Sequence, residues 1–309
     1  SGVIIEEDKE NGIAYIVTNY HVIYDANSDE GISKNIKVYL YGNEYTGSEI
    51  IAKYIGGAMT YDIAVLKIES DIYKNSGAYK CKIANSQDLS VGDLVIAIGN
   101  PEAQGISVTS GIISVPNETL QMRAADEKTV VNTRVIRIDA AVNSGNSGGG
   151  LFNENAELIG IVNAKSVDTS IEGMCYSIPI NVAYAIARKI IDTCDGLNNK
   201  TITKAVLGIN VGIAESKSEY DPITERTLIK QKIGISSINV GSCAYNKLKE
   251  NDILINLKIG DTVYEINSVY SIEDAMLLAK KGDNITFTVI RDGVIEYILV
   301  NLDTEIEIK

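Results

Sequence analysis

The chain has 309 residues, of which 45% are hydrophobic and 22% charged, with a formal net charge of −13. That length suits two average domains, and the composition suits a globular protein with a substantial core. The acidic balance excludes the clustered Lys and Arg of a phosphate-binding surface, so no nucleic-acid partner is expected; the longest apolar runs, such as Leu94-Val95-Ile96-Ala97-Ile98, are too short for a membrane-spanning helix.

The first residues, Ser1-Gly2-Val3-Ile4-Ile5, enter mid-pattern without a signal peptide, as expected of a chain from which an N-terminal segment has been cut. Short runs rich in Val, Ile, Tyr and Thr then alternate with Gly-, Asn-, Asp- and Pro-containing breaks. They predict strands over Gly12–Thr18, Ile36–Tyr41, Asp62–Ile68, Asp93–Ile98, Ile106–Val115, Val130–Ile138 and Leu158–Ala164. Many short strands at modest spacing imply a mainly β barrel or sandwich. A helix follows from about Asn181 to Cys194, with Val182, Ile186, Ile190 and Ile191 on one face and Asn181 as its N-cap. The polar stretch Asp195–Lys200 reads as a break between domains. Beyond it, strands are predicted near Leu207–Val211, Ile253–Leu257, Thr262–Ile266, Asn284–Ile290 and Val294–Leu302, with a hairpin turn at Arg291-Asp292-Gly293. One helix near Ser271–Lys280 is predicted, with Ser271 as N-cap and Glu273 and Asp274 in its first turn.

The four cysteines, Cys81, Cys175, Cys194 and Cys243, form no C-x-x-C pair, and the chain holds a single histidine. A structural zinc site is therefore not expected, and the thiols are read as free and partly buried.

One stretch, Asn143-Ser144-Gly145-Asn146-Ser147-Gly148-Gly149-Gly150-Leu151, concentrates glycine around a serine directly after an apolar run. It lacks the lysine of a phosphate-cradling loop. It satisfies G-x-S-x-G, but a nucleophile elbow requires a histidine after the serine, and His21 lies 126 residues before it. The remaining chemical reading is a serine nucleophile served by His21, because a serine hydroxyl is inert near neutral pH without a base. The imidazole in turn needs a carboxylate. Asp25 reads as a cap or solvent-facing group, and Asp139 as pointing away at a strand end. Asp62, at the head of a buried strand, is an expensive place for an unpaired charge and is the chosen partner. The order His21, Asp62, Ser147 is that of chymotrypsin-type double β-barrels.

Thr18-Asn19-Tyr20-His21-Val22, Asp62-Ile63-Ala64-Val65-Leu66-Lys67, Gly99-Asn100-Pro101 followed by Val108-Thr109-Ser110-Gly111, and Gly145-Asn146-Ser147-Gly148-Gly149 together resemble the HtrA/Deg family of trypsin-like serine proteases with C-terminal PDZ domains. The resemblance runs over nearly the whole chain. It implies two six-stranded β-barrels with His21, Asp62 and Ser147 in the cleft, and an oxyanion hole at Gly145, Asn146 and Ser147. It departs at Ser144 and Gly150, where prolines are usual, and at Tyr20, where Asn is frequent. Loss of two prolines loosens the nucleophile loop on this reading. Gln104–Thr109, Pro116–Lys128 and Lys165–Gly173 read as the mobile loops.

The residue six before the nucleophile, Ala141, falls at the base of the primary pocket in such folds. With no acid there, a pocket of Ala141, Ile161, Val162 and Asn163 implies small or medium aliphatic side chains rather than Lys or Arg. In the second half, Leu207-Gly208-Ile209 and Val211 resemble the carboxylate-binding loop of a PDZ domain, although Ile213–Lys232 is longer and more charged than usual. The expected domains are thus a protease domain over 1–195, a linker over 196–204 and a PDZ-like domain over 205–309. The implied activity is ATP-independent endopeptidase action on unfolded or exposed segments, without a cofactor or metal, exported or membrane-anchored. Its partners would be peptide substrates and C-terminal peptides. Family members form homo-trimers through the N-terminal edge at which this chain opens, which leaves trimerisation open here. The alternative function is a catalytically silent peptide-binding or chaperone-like module.

Overall fold

The computed structural model describes residues 1–41, 48–100, 105–164, 174–194, 201–222 and 225–308. They divide into two compact units, Ser1–Ile202 and Thr203–Ile308. The chain is mainly β, the fold class read from the sequence, and the second unit, expected as a small α+β domain, combines its strands with one helix among the described residues. Residues 195–200, expected as the domain break, lie outside the described residues. Residues 202–204, also expected in the linker, instead belong to a strand described below.

The first unit begins with β1 (Val3–Asp8), β2 (Ile13–Thr18), β3 (Ile36–Val38), β4 (Ile50–Ala58) and β5 (Ile63–Glu69). They form an antiparallel sheet in the order β1-β2-β5-β4-β3, five strands among the described residues where the resemblance implied six. Its core gathers the inward residues Ala14, Ile16, Leu66 and Ile68 with Tyr73 of a short helix, α2 (Asp71–Lys74), which follows α1 (Tyr20–Ile23) in the chain. The prediction missed β4 because Gly56-Gly57 reads as a breaker. Those glycines are there for close packing: a Cβ on Gly57 would lie 2.7 Å from the Tyr20 ring, and one on Gly56 would lie 2.8 Å from Ile190.

The second half of this unit uses β6 (Lys82–Ile83), β7 (Leu94–Gly99), β8 (Ser107–Arg123), β9 (Val130–Ile138), β10 (Gly150–Phe152), β11 (Glu157–Asn163) and β12 (Cys175–Pro179). Because β10 pairs with both β7 and β11, the ring β10-β7-β8-β9-β12-β11 closes into a six-stranded barrel around Val95, Ile113, Ile136, Ile138, Leu151 and Ile159. Of the three expected mobile loops, Lys165–Gly173 lies outside the described residues; Gln104–Thr109 is corrected beyond Gln104, itself outside them, because Ser107, Val108 and Thr109 open β8 and pair with β7. The third, Pro116–Lys128, is corrected: residues through Arg123 belong to β8 and pair with β9. Pro116 and Asn117 fall in a register shift between Val115 and Glu118, where a missing N–H costs no ladder bond.

The helix α3 (Ile180–Thr193) buries Val182, Ile186 and Ile190 as its apolar periodicity required. Its N-cap is Pro179 and not Asn181, whose side chain instead accepts from the Ser86 N–H at 3.0 Å and donates to Asn85 at 2.8 Å. All four cysteines are free, and burial pushes the Cys81 thiol up to about 11 and raises that of Cys243.

In the second unit, β13 (Ile202–Ala205) pairs with β20 (Glu305–Ile308). A further sheet runs β14 (Ile209–Asp221), β15 (Arg226–Ile238), β16 (Ile253–Ile259), β18 (Asn284–Arg291) and β19 (Val294–Asn301), with β17 (Thr262–Glu265) paired to β16. β18 and β19 meet through the two-residue turn Asp292-Gly293, both at positive φ as a type I′ turn demands. Leu207, Ile233, Leu257, Phe287 and Val300 share one core with Ile272, Ala275 and Met276 of α4 (Ser271–Leu278). The expected cap is again displaced: Tyr270 is the N-cap, and the Ser271 hydroxyl accepts from the N–H groups of Asn267 and Ser268. The charged stretch Ile213–Lys232 is most of a long hairpin, held by pairs such as Lys230–Glu219 at 3.0 Å.

Asp252 ties this unit together. Its carboxylate is 1% exposed and takes both Nε and Nη2 of Arg291, at 2.8 and 2.7 Å, and the Lys249 N–H at 2.8 Å. Asp252→Ala leaves a largely buried guanidinium without this bidentate partner. It is expected to destabilise the second unit by about 3–5 kcal/mol, read from urea denaturation of the two chains.

Candidate functional site

His21 stands in α1, a single turn that follows the buried end of β2. Asp62 closes the 3₁₀ turn Met59–Tyr61 in the left-handed region at φ 53°, one residue before β5, rather than lying inside that strand as predicted. Aspartate tolerates this conformation better than most residues. The turn is pinned through the Asp62 carbonyl, which accepts from the Tyr20 N–H at 3.1 Å and from Asn19 Nδ2 at 3.0 Å. Asn19 is fully buried, a functional contributor the sequence reading passed over. A buried amide at the end of an apolar strand was the available signal.

The Asp62 carboxylate accepts three hydrogen bonds. Oδ1 takes the His21 backbone N–H at 2.9 Å, and Oδ2 takes His21 Nδ1 at 2.7 Å and Asn163 Nδ2 at 3.0 Å. With its proton on Nδ1 toward the carboxylate, the imidazole presents the Nε2 lone pair to Ser147 Oγ, 2.9 Å away. Ser147 Oγ also accepts from the Ala164 N–H at 3.1 Å. The structure therefore brings together the three residues singled out from the sequence, 126 and 41 positions apart from His21 along the chain. The two rejected acids are engaged elsewhere: Asp25 accepts from the Asn27 N–H and Asp139 from the Ile112 N–H.

The glycines around Ser147 have separate reasons. Gly145 sits at φ 96°, which L side chains rarely adopt. Gly148, at φ 82°, passes so close to β2 that a Cβ would lie 2.2 Å from Thr18 Oγ1. Asn146 is buried, and its N–H donates to the Asn143 carbonyl at 3.0 Å. The N–H groups of Gly145 and Ser147 have no partner among the described residues and remain free to donate.

The pocket residues are placed unevenly. Ala141 is exposed, and its carbonyl accepts from Thr109 Oγ1 at 2.9 Å. Ile161 and Val162 are fully buried, Val162 in the core of the closed barrel, and so present no side-chain surface to a ligand. Asn163 turns its amide to Asp62 instead. Among the second-unit residues, Leu207 is in the core, Gly208 has φ 78°, and Ile209 and Val211 pack partly against that core.

A five-stranded antiparallel sheet and a closed six-stranded β-barrel, with a carboxylate, an imidazole and a serine hydroxyl in line, make the architecture of a trypsin-like peptidase. Residues 1–161 match the family described as "Trypsin-like peptidase domain". The chain is 34% identical over 308 residues to "Serine protease Do-like HtrA" of Bacillus subtilis, covering 95% of this chain and 61% of that protein. It is 32% identical over 311 residues to "Probable periplasmic serine endoprotease DegP-like" of Bartonella henselae, covering 98% and 53%. The solved structure "HtrA-type protease AlgW with tripeptide" aligns at 26% identity and a TM-score of 0.55, covering 98% of this chain and 88% of that one. The chain belongs to the HtrA family of trypsin-like serine proteases, and it spans between about half and three fifths of the length of these two curated relatives.

Proposed function

We propose that the chain is an ATP-independent serine endopeptidase that cleaves unfolded or exposed protein segments through an acyl-enzyme. The observation that carries this reading is the single histidine held at 2.7 Å from a carboxylate and 2.9 Å from a serine hydroxyl. In the proposed cycle Ser147 Oγ attacks the scissile carbonyl while His21 Nε2 takes its proton and later passes it to the leaving amine. Asp62 holds the imidazole tautomer and stabilises the imidazolium. The N–H groups of Gly145 and Ser147 receive the oxyanion, each such donor being worth roughly 10²–10³ in rate. Water then hydrolyses the ester by the same base. Cleavage of an unfolded protein by the parent and by Ser147→Ala tests the reading. Equal inertness of both chains under every condition would favour the silent peptide-binding module.

The proposal extends to a role in protein quality control outside the cytoplasm, supported by the periplasmic designation of the Bartonella relative. It also extends to the second unit as a PDZ-like peptide site. β14 is the terminal strand of its sheet among the described residues, so the outer edge of Ile209–Ile213 can accept an added strand. Leu207-Gly208-Ile209 would meet the peptide's terminal carboxylate with backbone N–H groups. A peptide with a free C-terminal carboxylate is therefore expected to bind at least about tenfold more tightly than its C-terminal amide, measured by fluorescence anisotropy. Equal affinities would remove the carboxylate-binding role.

A further inference from the structure

Among the described residues, residue 1 makes four hydrogen bonds: two to carbonyls of the nucleophile loop, one with Asn100 just after β7 and one with Thr18 at the end of β2. The Ser1 hydroxyl donates to the Gly145 carbonyl at 2.7 Å and accepts from the Asn100 N–H at 2.8 Å. The Ser1 backbone nitrogen reaches the Ser147 carbonyl at 3.0 Å, and the Ser1 carbonyl accepts from Thr18 Oγ1 at 2.7 Å. The carbonyls of Gly145 and Ser147 belong to the two residues whose N–H groups face the proposed oxyanion. Gly145 has no side chain and lies at φ 96°, so nothing intrinsic to it fixes the peptide orientation. Ser144 and Gly150 on either side add no ring constraint. The carbonyl of Gly145 is instead clamped from outside the loop, by a hydroxyl that is itself oriented by the first residue after β7.

We infer that the Ser1 side chain is a positioning residue for the oxyanion hole: its hydroxyl, bridging the Asn100 N–H and the Gly145 carbonyl, sets the backbone orientation from which the Gly145 and Ser147 N–H groups donate. This rests on the endopeptidase reading above. A backbone contact alone would tolerate any residue at position 1; the inference assigns the effect to the hydroxyl.

The test compares the parent with Ser1→Ala and Ser1→Thr, which retains a hydroxyl, on one peptide substrate. Three further readouts accompany it: inhibition by a peptide aldehyde, whose hemiacetal oxygen occupies the hole, affinity for the uncleavable product peptide, and thermal midpoint. Ser1→Ala is expected to lower kcat and aldehyde affinity together by about tenfold, the equivalent of one hydrogen bond. KM, product affinity and thermal midpoint should stay close to the parent values, and Ser1→Thr should recover most of kcat. The inference is overturned if Ser1→Ala keeps kcat within twofold. It is equally overturned if kcat falls only in step with product affinity or thermal midpoint, failure to fold included, since the residue would then act through general stability. Ser147→Ala in the same assay separates the two levels: retained cleavage there defeats the endopeptidase reading itself, whereas its loss beside an unaffected Ser1→Ala defeats only this inference.

Discussion

Ser147→Ala is expected to reduce kcat for cleavage of an unfolded protein by on the order of 10⁶ while leaving the fold intact. The serine Oγ is the only atom removed. It accepts from Ala164 N–H and faces His21 Nε2, so its loss leaves two polar groups at a site that water or substrate can reach. The His21 side chain is 19% exposed, and the consequence for stability should stay within about 1 kcal/mol. The chemical consequence is of a different order, because among the described residues no other nucleophile lies against that nitrogen. The Gly145 and Ser147 N–H groups persist in the variant and should sustain a residual rate of roughly 10³–10⁴ over the uncatalysed reaction. Because nucleophile and base act as one unit, adding His21→Ala to Ser147→Ala should cost little more. Steady-state cleavage of a fluorescent unfolded substrate, with the midpoint of thermal unfolding as control, reads all of this. A Ser147→Ala chain retaining more than about a tenth of parental kcat would mean that the serine is not the nucleophile.

Where a segment is dense in Val, Ile and Thr and bounded by turn formers, its composition carried the answer. Val130–Ile138 was read to the residue, and Ile13–Thr18 and Leu94–Gly99 to within one, although only Leu94–Gly99 alternates buried and less buried positions with the pleat. The hairpin arms of β14 and β15 were not legible as strands beyond Val211. Glu215, Lys217, Glu219, Lys230 and Lys232 leave them without an apolar face, and cross-strand ion pairs take its place. The caps failed because other partners claim both side chains: Asn181 is taken by the distant Ser86 N–H, and Ser271 by the N–H groups of Asn267 and Ser268 in the turn just before its helix. At the site, His21 and Ser147 were legible because the chain offers one histidine and one glycine-wrapped serine, and Asp62 because an acid heading a buried strand demands partners. The sequence could not reveal that Asn163 would serve Asp62 rather than a pocket. A polar residue ending the apolar run Leu158–Val162 has the same pattern in either role, and only the pairing of β11 in the barrel aims it at the carboxylate. The roles of Ser1 and Asn100 were hidden for the same reason: the contact of Ser1 with Gly145 spans 144 positions and that of Asn100 with Ser1 spans 99, and neither leaves a local signature.

Asp62→Asn carries the second large effect, and its cause can be traced atom by atom. Asparagine tolerates the left-handed conformation at φ 53°, so the 3₁₀ turn and its bonds to Tyr20 and Asn19 should survive. The new amide has one acceptor where the carboxylate had two. Its oxygen is claimed at the Oδ1 position, which faces the His21 backbone N–H. The amino group must then take the Oδ2 position, where it meets two donors, His21 Nδ1–H and Asn163 Nδ2. The imidazole can relieve this only by moving its proton to Nε2, and an Nε2–H cannot accept the serine proton. The opposite rotamer keeps the productive tautomer but places an NH₂ against a backbone N–H that cannot adjust. Either arrangement also removes the negative charge that stabilises the imidazolium. The expected result is a fall in kcat of about 10⁴, with KM and thermal midpoint near their parental values. Proton NMR of the single histidine would show which ring nitrogen carries the proton, since the chain has no second imidazole to confuse the signal. Retention of the Nδ1–H tautomer together with near-parental kcat would show that Asp62 is not the group that orients His21.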